Sequence, residues 1–228
     1  MPKLQIDEEG FGFLLVDLLM AKIKTPEEKL YWQADIATAL HNDNRSGDMR
    51  QSAVSISENR RQKLQAVFLR NLHYDGMEDR EERIAKAHQA TFQWIFETDR
   101  MNDKKWSNFK DWLESDSRLY WMTGKAGFGK STLMKFISQR FPDSPGEEPR
   151  CWKHLKHWAG DDHLVIATFF FWNSGFPIQM TQSGLFRSLL NQILNLPSDT
   201  KLCLFVDSLD GFDGDHKALI RLFRDVTI

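Results

Sequence analysis

The run Gly124-Lys125-Ala126-Gly127-Phe128-Gly129-Lys130-Ser131 constrains this chain more than any other stretch. It fills the pattern G-x-x-x-x-G-K-[ST] at every fixed position. Glycines let a backbone curl so that successive N–H groups point at one oxyanion, and a helix starting near Lys130 adds its N-terminal dipole at the same place. The apolar stretch Leu119 to Met122 ahead of the loop reads as a strand. The amphipathic Leu133-Met134-Lys135-Phe136-Ile137 behind it reads as a helix. Residue frequencies alone produce the pattern in roughly one chain of this length in a hundred. The strand–loop–helix setting therefore decides against a chance glycine-rich turn. Lys130 is expected to reach β- and γ-phosphates and the Ser131 hydroxyl to ligate Mg²⁺.

A second element supports the same chemistry. Leu202-Cys203-Leu204-Phe205-Val206-Asp207 is an apolar run ending in a carboxylate. Beside a phosphate loop, an Asp at the carboxyl end of a strand holds Mg²⁺, often through water. The fold class follows from the surrounding pattern. Leu164 to Trp172 and Lys201 to Asp207 are apolar without alternation, as strands buried on both faces are. Helical periods at Thr181 to Leu194 and Asp215 to Val226 alternate with them, so the expectation is an α/β fold with a parallel sheet. Phe141 to Arg150, rich in Pro and acidic residues, reads as a surface loop.

The first half of the chain reads as helical. Candidate helices are Phe11 to Lys22, a segment opened by Thr25 and Pro26 and running to His41, and Asn59 to His73. A stronger amphipathic pattern joins Ile84, Ala87, His88, Thr91, Phe92 and Ile95. Trp106, Phe109, Trp112 and Leu113 form a last short helix. Three segments result: 1–60, helical and of unassigned role; 61–114, a helical lead-in; and 115–228, the phosphate-loop domain.

Composition narrows the function classes. A net charge of −2 argues against a strongly cationic nucleic-acid binder. Two cysteines, Cys151 and Cys203, are too few for a disulfide framework. The run Phe11 to Met20 is far shorter than the ~20 residues of a membrane span and follows an acidic start. The expectation is a reduced, cytoplasmic, soluble protein with no membrane partner.

The stretch Ile84 to Leu194 resembles fungal NACHT-type P-loop proteins, whose NTPase region is also described as nephrocystin-3-like N-terminal. The residues that carry the resemblance run in order. They include Ile84-Ala85-Lys86-Ala87-His88, Thr91-Phe92-Gln93-Trp94-Ile95-Phe96 and Phe109-Lys110-Asp111-Trp112-Leu113. Tyr120-Trp121-Met122-Thr123 leads into the loop, and Gly129-Lys130-Ser131-Thr132-Leu133 leaves it. Phe169-Phe170-Phe171-Trp172-Asn173 and Gly184-Leu185-Phe186-Arg187-Ser188-Leu189-Leu190 follow, then Asp207-Ser208-Leu209-Asp210. The likeness covers about residues 64–225; residues 1–60 match nothing nameable.

The resemblance implies an incomplete P-loop NTPase sheet of the RecA/ASCE-like kind. It also implies a signalling switch of the STAND class that binds ATP or GTP with Mg²⁺ and pairs a sensor repeat domain with an effector. On this reading Gly124 to Ser131 and Thr132 bind the nucleotide, Ser131 and Asp207 hold the metal, and Asp210 completes the catalytic water side. The helical region offers a surface for self-association or protein partners. The chain departs from the family pattern at Phe128, where a small residue is usual, at Ser208, in place of a glycine, and at Gly211, in place of an acidic residue. The last departure predicts weak hydrolysis with binding retained. Only Leu196 to Thr200 joins the Leu190 helix to the acidic strand, where relatives carry several dozen residues more, so a truncated gene product is one expectation.

Other constellations point less firmly. Cys151, His154, His157 and His163 lack a standard zinc spacing, and Trp152, Leu155 and Trp158 fit an amphipathic helix. The row Asp207, Asp210, Asp213, Asp215 lacks the order of an EF-hand. His88, Thr91, Phe92 and Trp94 belong either to the base side of a nucleotide or to a packed helix face. Asn173 ends the central strand, where a residue of a parallel sheet faces the ligand crevice. The alternative to a nucleotide switch is a non-catalytic interaction fragment with a vestigial phosphate loop. A P-loop enzyme acting on nucleic acid is the third class.

Overall fold

The computed structural model describes residues 1, 3–6, 34, 35, 38, 53–87, 91–97, 108–138, 148–193 and 200–226. It is a mixed α/β structure. Three strands, β1 (Lys3–Ile6), β2 (His163–Phe170) and β3 (Thr200–Asp207), form a sheet in the order β1-β3-β2. β2 and β3 run parallel, paired from His163↔Thr200 to Phe170↔Asp207, while β1 runs antiparallel to β3 from Lys3↔Cys203 to Ile6↔Thr200.

β2 and β3 are each buried on two faces, which is why their sequences do not alternate in polarity. Alternation reappears in where the side chains go. Leu202 and Leu204 join one core, together with Ala167 and Phe169 of β2. Cys203 and Phe205 join the other, together with Leu164 and Phe170. The first core is closed by Leu72 of α1 (Ala53–Leu72), by Leu185, Leu189 and Ile193 of α6 (Gln182–Ile193), and by Leu219 and Phe223 of α7 (His216–Val226). The second is closed by Phe109 and Leu113 of α3 (Phe109–Glu114), by Leu133, Phe136 and Ile137 of α4 (Lys130–Ser138), and by Leu155 and Ala159 of α5 (Trp152–Ala159). The sheet is thus covered by helices on each side, the arrangement expected when a strand–helix–strand crossover feeds a parallel pair.

Local chemistry sets several element ends. Asn108 caps α3 by accepting the Asp111 N–H, and Asp215 caps α7 by accepting those of Lys217 and Ala218. Arg187 of α6 donates to the carbonyls of Asn71, Leu72 and His73, collecting the open end of α1.

The amphipathic pattern from Ile84 to Ile95 does not become a helix. A short α2 (Asp79–Arg83) stops at Ile84, whose backbone is extended, residues 85–87 and 91–92 are not helical, and a 3₁₀ turn follows at Gln93–Phe96. The reason lies on α4. The Lys135 ammonium donates to the carbonyls of Glu81, Glu82 and Ile84, holding the groups that a longer helix would have used internally. Ile84 and Ile95 are buried in one core, with Ala87 and Phe92 packed against it, while Thr91 of the same pattern is exposed. Among the predicted helices, α1, α3, α6 and α7 take their places with shifted ends. Phe11 to Lys22, Trp106, His88 and most of the segment from Thr25 to His41 lie outside the described residues, as does the surface loop from Phe141 to position 147. Among the described residues, no helix is long and apolar enough to cross a membrane.

Candidate functional site

The loop Gly124 to Gly129 leads directly into the first turn of α4, and the Leu133 N–H closes that turn on the Gly129 carbonyl at 2.8 Å. Gly127 and Gly129 hold φ of +79° and +75°, a region that L side chains rarely occupy, so these two glycines shape the loop. No atom lies within 4 Å of a Cβ built on Gly127, and the loop there is open to an incoming group. Phe128 between them is 75% exposed, its ring turned out to solvent. The Lys130 ammonium folds back over the loop and donates to the Gly124 and Lys125 carbonyls at 2.7 and 3.0 Å.

The strand expected before the loop is reduced to one bridging residue, Leu119. Tyr120 instead exchanges two bonds with Met1. The Met1 ammonium donates to the Tyr120 carbonyl at 2.7 Å, and the Tyr120 N–H donates to the Met1 carbonyl at 3.1 Å. β1, directly after Met1, lies against β3. The N-terminal segment therefore stands between the approach to the phosphate loop and the acidic strand. Burial lowers the Met1 amino pKa from 8.0 to about 6.

Asp207 ends β3 and is 6% exposed. Its Oδ2 accepts the Ser208 hydroxyl at 2.8 Å, and the Ser208 oxygen lies 3.4 Å from the Ser131 hydroxyl. The three oxygens form a chain from the first turn of α4 to the end of the acidic strand. Ser208 sits at φ 55° and ψ 45°, the one non-glycine with positive φ among the described residues. That region costs an ordinary L residue roughly 1–2 kcal/mol. Asp210 follows in a 3₁₀ turn at Leu209–Gly211 and is exposed. Gly211 sits close to Phe171 and Asn173, with a built Cβ 3.4 Å from the Phe171 Cβ.

A cavity of about 320 Å³ joins these parts. Its walls include Met1, Trp121, Gly124, Lys130, Asp207 and Asp210. Of the residues singled out by sequence, Gly124, Ala126, Lys130, Asp207 and Asp210 line it. Ser131 reaches Asp207 through Ser208. Lys125, Gly127, Phe128 and Gly129 complete the loop, and Thr132 follows on α4. Phe92 lies under the loop, 3.6 Å from a built Cβ on Gly129 and edge-on to Phe136, so it packs against the loop's helix; Trp94 is exposed.

Sequence reasoning missed Met1 and the bridging position of Ser208. The signal for the latter was its standing in place of a glycine directly after Asp207. The Cys151–His163 cluster is dispersed. Cys151 is buried, which raises its thiol pKa well above the ordinary value, and His154 Nδ1 pairs with Glu114 at 2.6 Å, which lowers the Glu114 pKa.

The donor set of Ser131 and Asp207 is oxygen only, as hard divalent cations require. Among the described residues the buried Asp207 carboxylate has no cationic side chain paired with it, so a bound cation fits its charge. These features define a mixed α/β protein with a phosphate-loop sequence at a helix start, facing a buried carboxylate across a cavity. The nephrocystin 3 N-terminal family matches residues 90–227, more than half of the sequence, and the chain belongs to that family. The domain is associated with NACHT-type NTPase proteins. No curated protein and no solved structure matches the chain.

Proposed function

We propose that this chain is a nucleotide-binding signalling module of NACHT/STAND type, taking ATP or GTP with Mg²⁺ in a RecA-like P-loop site. The observation that carries the reading is the shared cavity: Gly124, Ala126 and Lys130 of a loop shaped by positive φ at Gly127 and Gly129 line it together with Asp207. In this reading the loop N–H groups and the α4 N-terminus bind phosphate oxygens. Lys130 exchanges the Gly124 and Lys125 carbonyls for the β- and γ-phosphates. The magnesium ion, when bound, neutralises phosphate charge, and Ser131 and Asp207 are the residues that hold it.

Hydrolysis is weak or absent. Asp210 is the acidic residue left to orient an attacking water, and Gly211 supplies no second carboxylate. Binding and water activation use different parts of such a site. The domain acts as a switch through self-association or through protein partners of the helical region.

Titration of a fluorescent ATP or GTP analogue in Mg²⁺, with the native chain and Lys130→Ala, tests the proposal. Saturable binding lost in Lys130→Ala is the expected result. Binding that is absent, or indifferent to the substitution, overturns it. That second outcome favours a non-catalytic interaction module, a reading supported by the engagement of Lys130 with its own loop carbonyls.

A further inference from the structure

Ser208 is held in a backbone conformation that glycine would adopt without strain. Its fixed position has local causes. The Gly211 N–H donates to the Ser208 carbonyl at 2.8 Å, and the Phe171 N–H donates to the Asp207 carbonyl at 3.2 Å. The bend at the end of β3 is therefore pinned on both sides. What serine adds over glycine at this bend is one hydroxyl, and that hydroxyl lies between Asp207 and Ser131. A strained residue with a specific contact is a candidate for function rather than for packing.

Resting on the nucleotide reading above, we propose that Ser208 is a positioning residue of the cation site. Its hydroxyl donates to Asp207 Oδ2 and turns that buried carboxylate toward the Ser131 hydroxyl, before any cation arrives. Carboxylates that ligate metals are commonly fixed by such outer hydrogen bonds, and losing one weakens metal affinity about 10–100-fold. The bond also supplies partial compensation for a buried carboxylate that would otherwise face the cavity with no donor of its own. Metal-free nucleotide binding, which depends on the loop and Lys130, does not pass through Ser208.

Two substitutions separate the hydroxyl from the backbone. Ser208→Gly removes the hydroxyl and relieves the positive-φ strain; Ser208→Ala removes the hydroxyl and keeps the strain. Affinity for a fluorescent ATP or GTP analogue is measured in Mg²⁺ and in EDTA for the native chain and both variants, with the melting temperature of each nucleotide-free protein. Both variants are expected to lose about tenfold or more of the Mg²⁺-dependent tightening, with the EDTA affinity unchanged. Ser208→Gly is expected to melt above Ser208→Ala. A Ser208→Gly chain with the native Mg²⁺ enhancement overturns the inference, whatever Ser208→Ala does, because the backbone and not the hydroxyl would then matter. Native binding that disappears in Lys130→Ala but keeps its Mg²⁺ dependence in both Ser208 variants sinks this inference alone. A native chain that binds no nucleotide sinks the functional reading as well.

Discussion

The two edges of β3 are built from opposite materials. On one side β2 runs parallel along all eight residues, with α6 connecting the two strands and packing over β2. On the other side four residues of β1 run antiparallel, and Met1 carries the pairing on to Tyr120 at the approach to the phosphate loop. The parallel edge comes from a contiguous strand–helix–strand unit whose side chains fill both cores. The antiparallel edge comes from a segment more than a hundred residues away in sequence, paired with β3 through four residues. The first edge supplies stability. The second brings Met1 to the wall of the cavity that Gly124, Lys130 and Asp207 also line.

Breaking the parallel edge has the largest expected effect. Phe169 is buried in the core beneath α6 and meets Phe171 edge-to-face at 4.8 Å. Phe169→Ala is expected to cost about 3–5 kcal/mol, the range for deleting a buried aromatic ring. Urea denaturation checks it, and a loss near 1 kcal/mol would mean that this core relaxes into the vacated space.

The antiparallel edge is probed through pH. With a free amino group on Met1, the folded chain holds that group near pKa 6 against 8.0 when exposed. The unfolded state then binds more protons between these values, so stability rises with pH across that window. The contribution is complete above about pH 8, is lost as the pH falls toward 6, and stays lost below. The span corresponds to about 2–3 kcal/mol. Melting curves from pH 5 to 9 read it directly, and an Nα-acetylated chain should show a flatter profile over the same window. Equal slopes for the two chains would detach Met1 from Tyr120.

A smaller test concerns the outer side of β2. The Gln192 side chain accepts the Thr168 N–H and donates to the Thr168 carbonyl, each at 2.9 Å, and so mimics one rung of a further strand. Gln192→Ala leaves that rung open and should cost about 1–2 kcal/mol. Faster exchange of the Thr168 amide is the accompanying signature. An unchanged rate would show that the edge is protected by the surrounding helices and not by this amide.

The parallel edge was legible in sequence because its information is local. Leu164 to Trp172 and Lys201 to Asp207 announced buried strands by composition, and the helix from Thr181 to Leu194 announced their crossover. The phosphate loop was legible for the same reason, since eight adjacent residues contain the turn and the helix start. The other edge was not. Lys3–Ile6 is too short for a periodicity, and its partner β3 begins at position 200. The approach to the loop was read as a strand because Leu119 to Met122 is apolar, yet what pairs with Tyr120 is Met1. The Ile84 to Ile95 pattern failed differently: Lys135, distant in sequence, ends α2 by taking its carbonyls. Ser208 shows the limit most sharply. Its identity was visible as a departure from glycine, but its bond to Asp207 and its approach to Ser131 depend on how the end of β3 meets α4.

Phe128 gives the smallest expected effect and separates loop shape from loop chemistry. A bulky ring inside a phosphate loop has two fates, to narrow the cavity or to turn outward, and at 75% exposure it has turned outward. Its neighbours Gly127 and Gly129 carry the positive φ angles, so the turn does not depend on the ring. Phe128→Ser should therefore change stability by less than about 0.5 kcal/mol and leave nucleotide affinity within about twofold. A gain in affinity of tenfold or more, measured beside the native chain in the same titration, would mean that the ring swings inward when phosphate approaches. A loss of similar size would mean that the ring covers the bound nucleotide. Either result would move Phe128 from the surface of the molecule into its site.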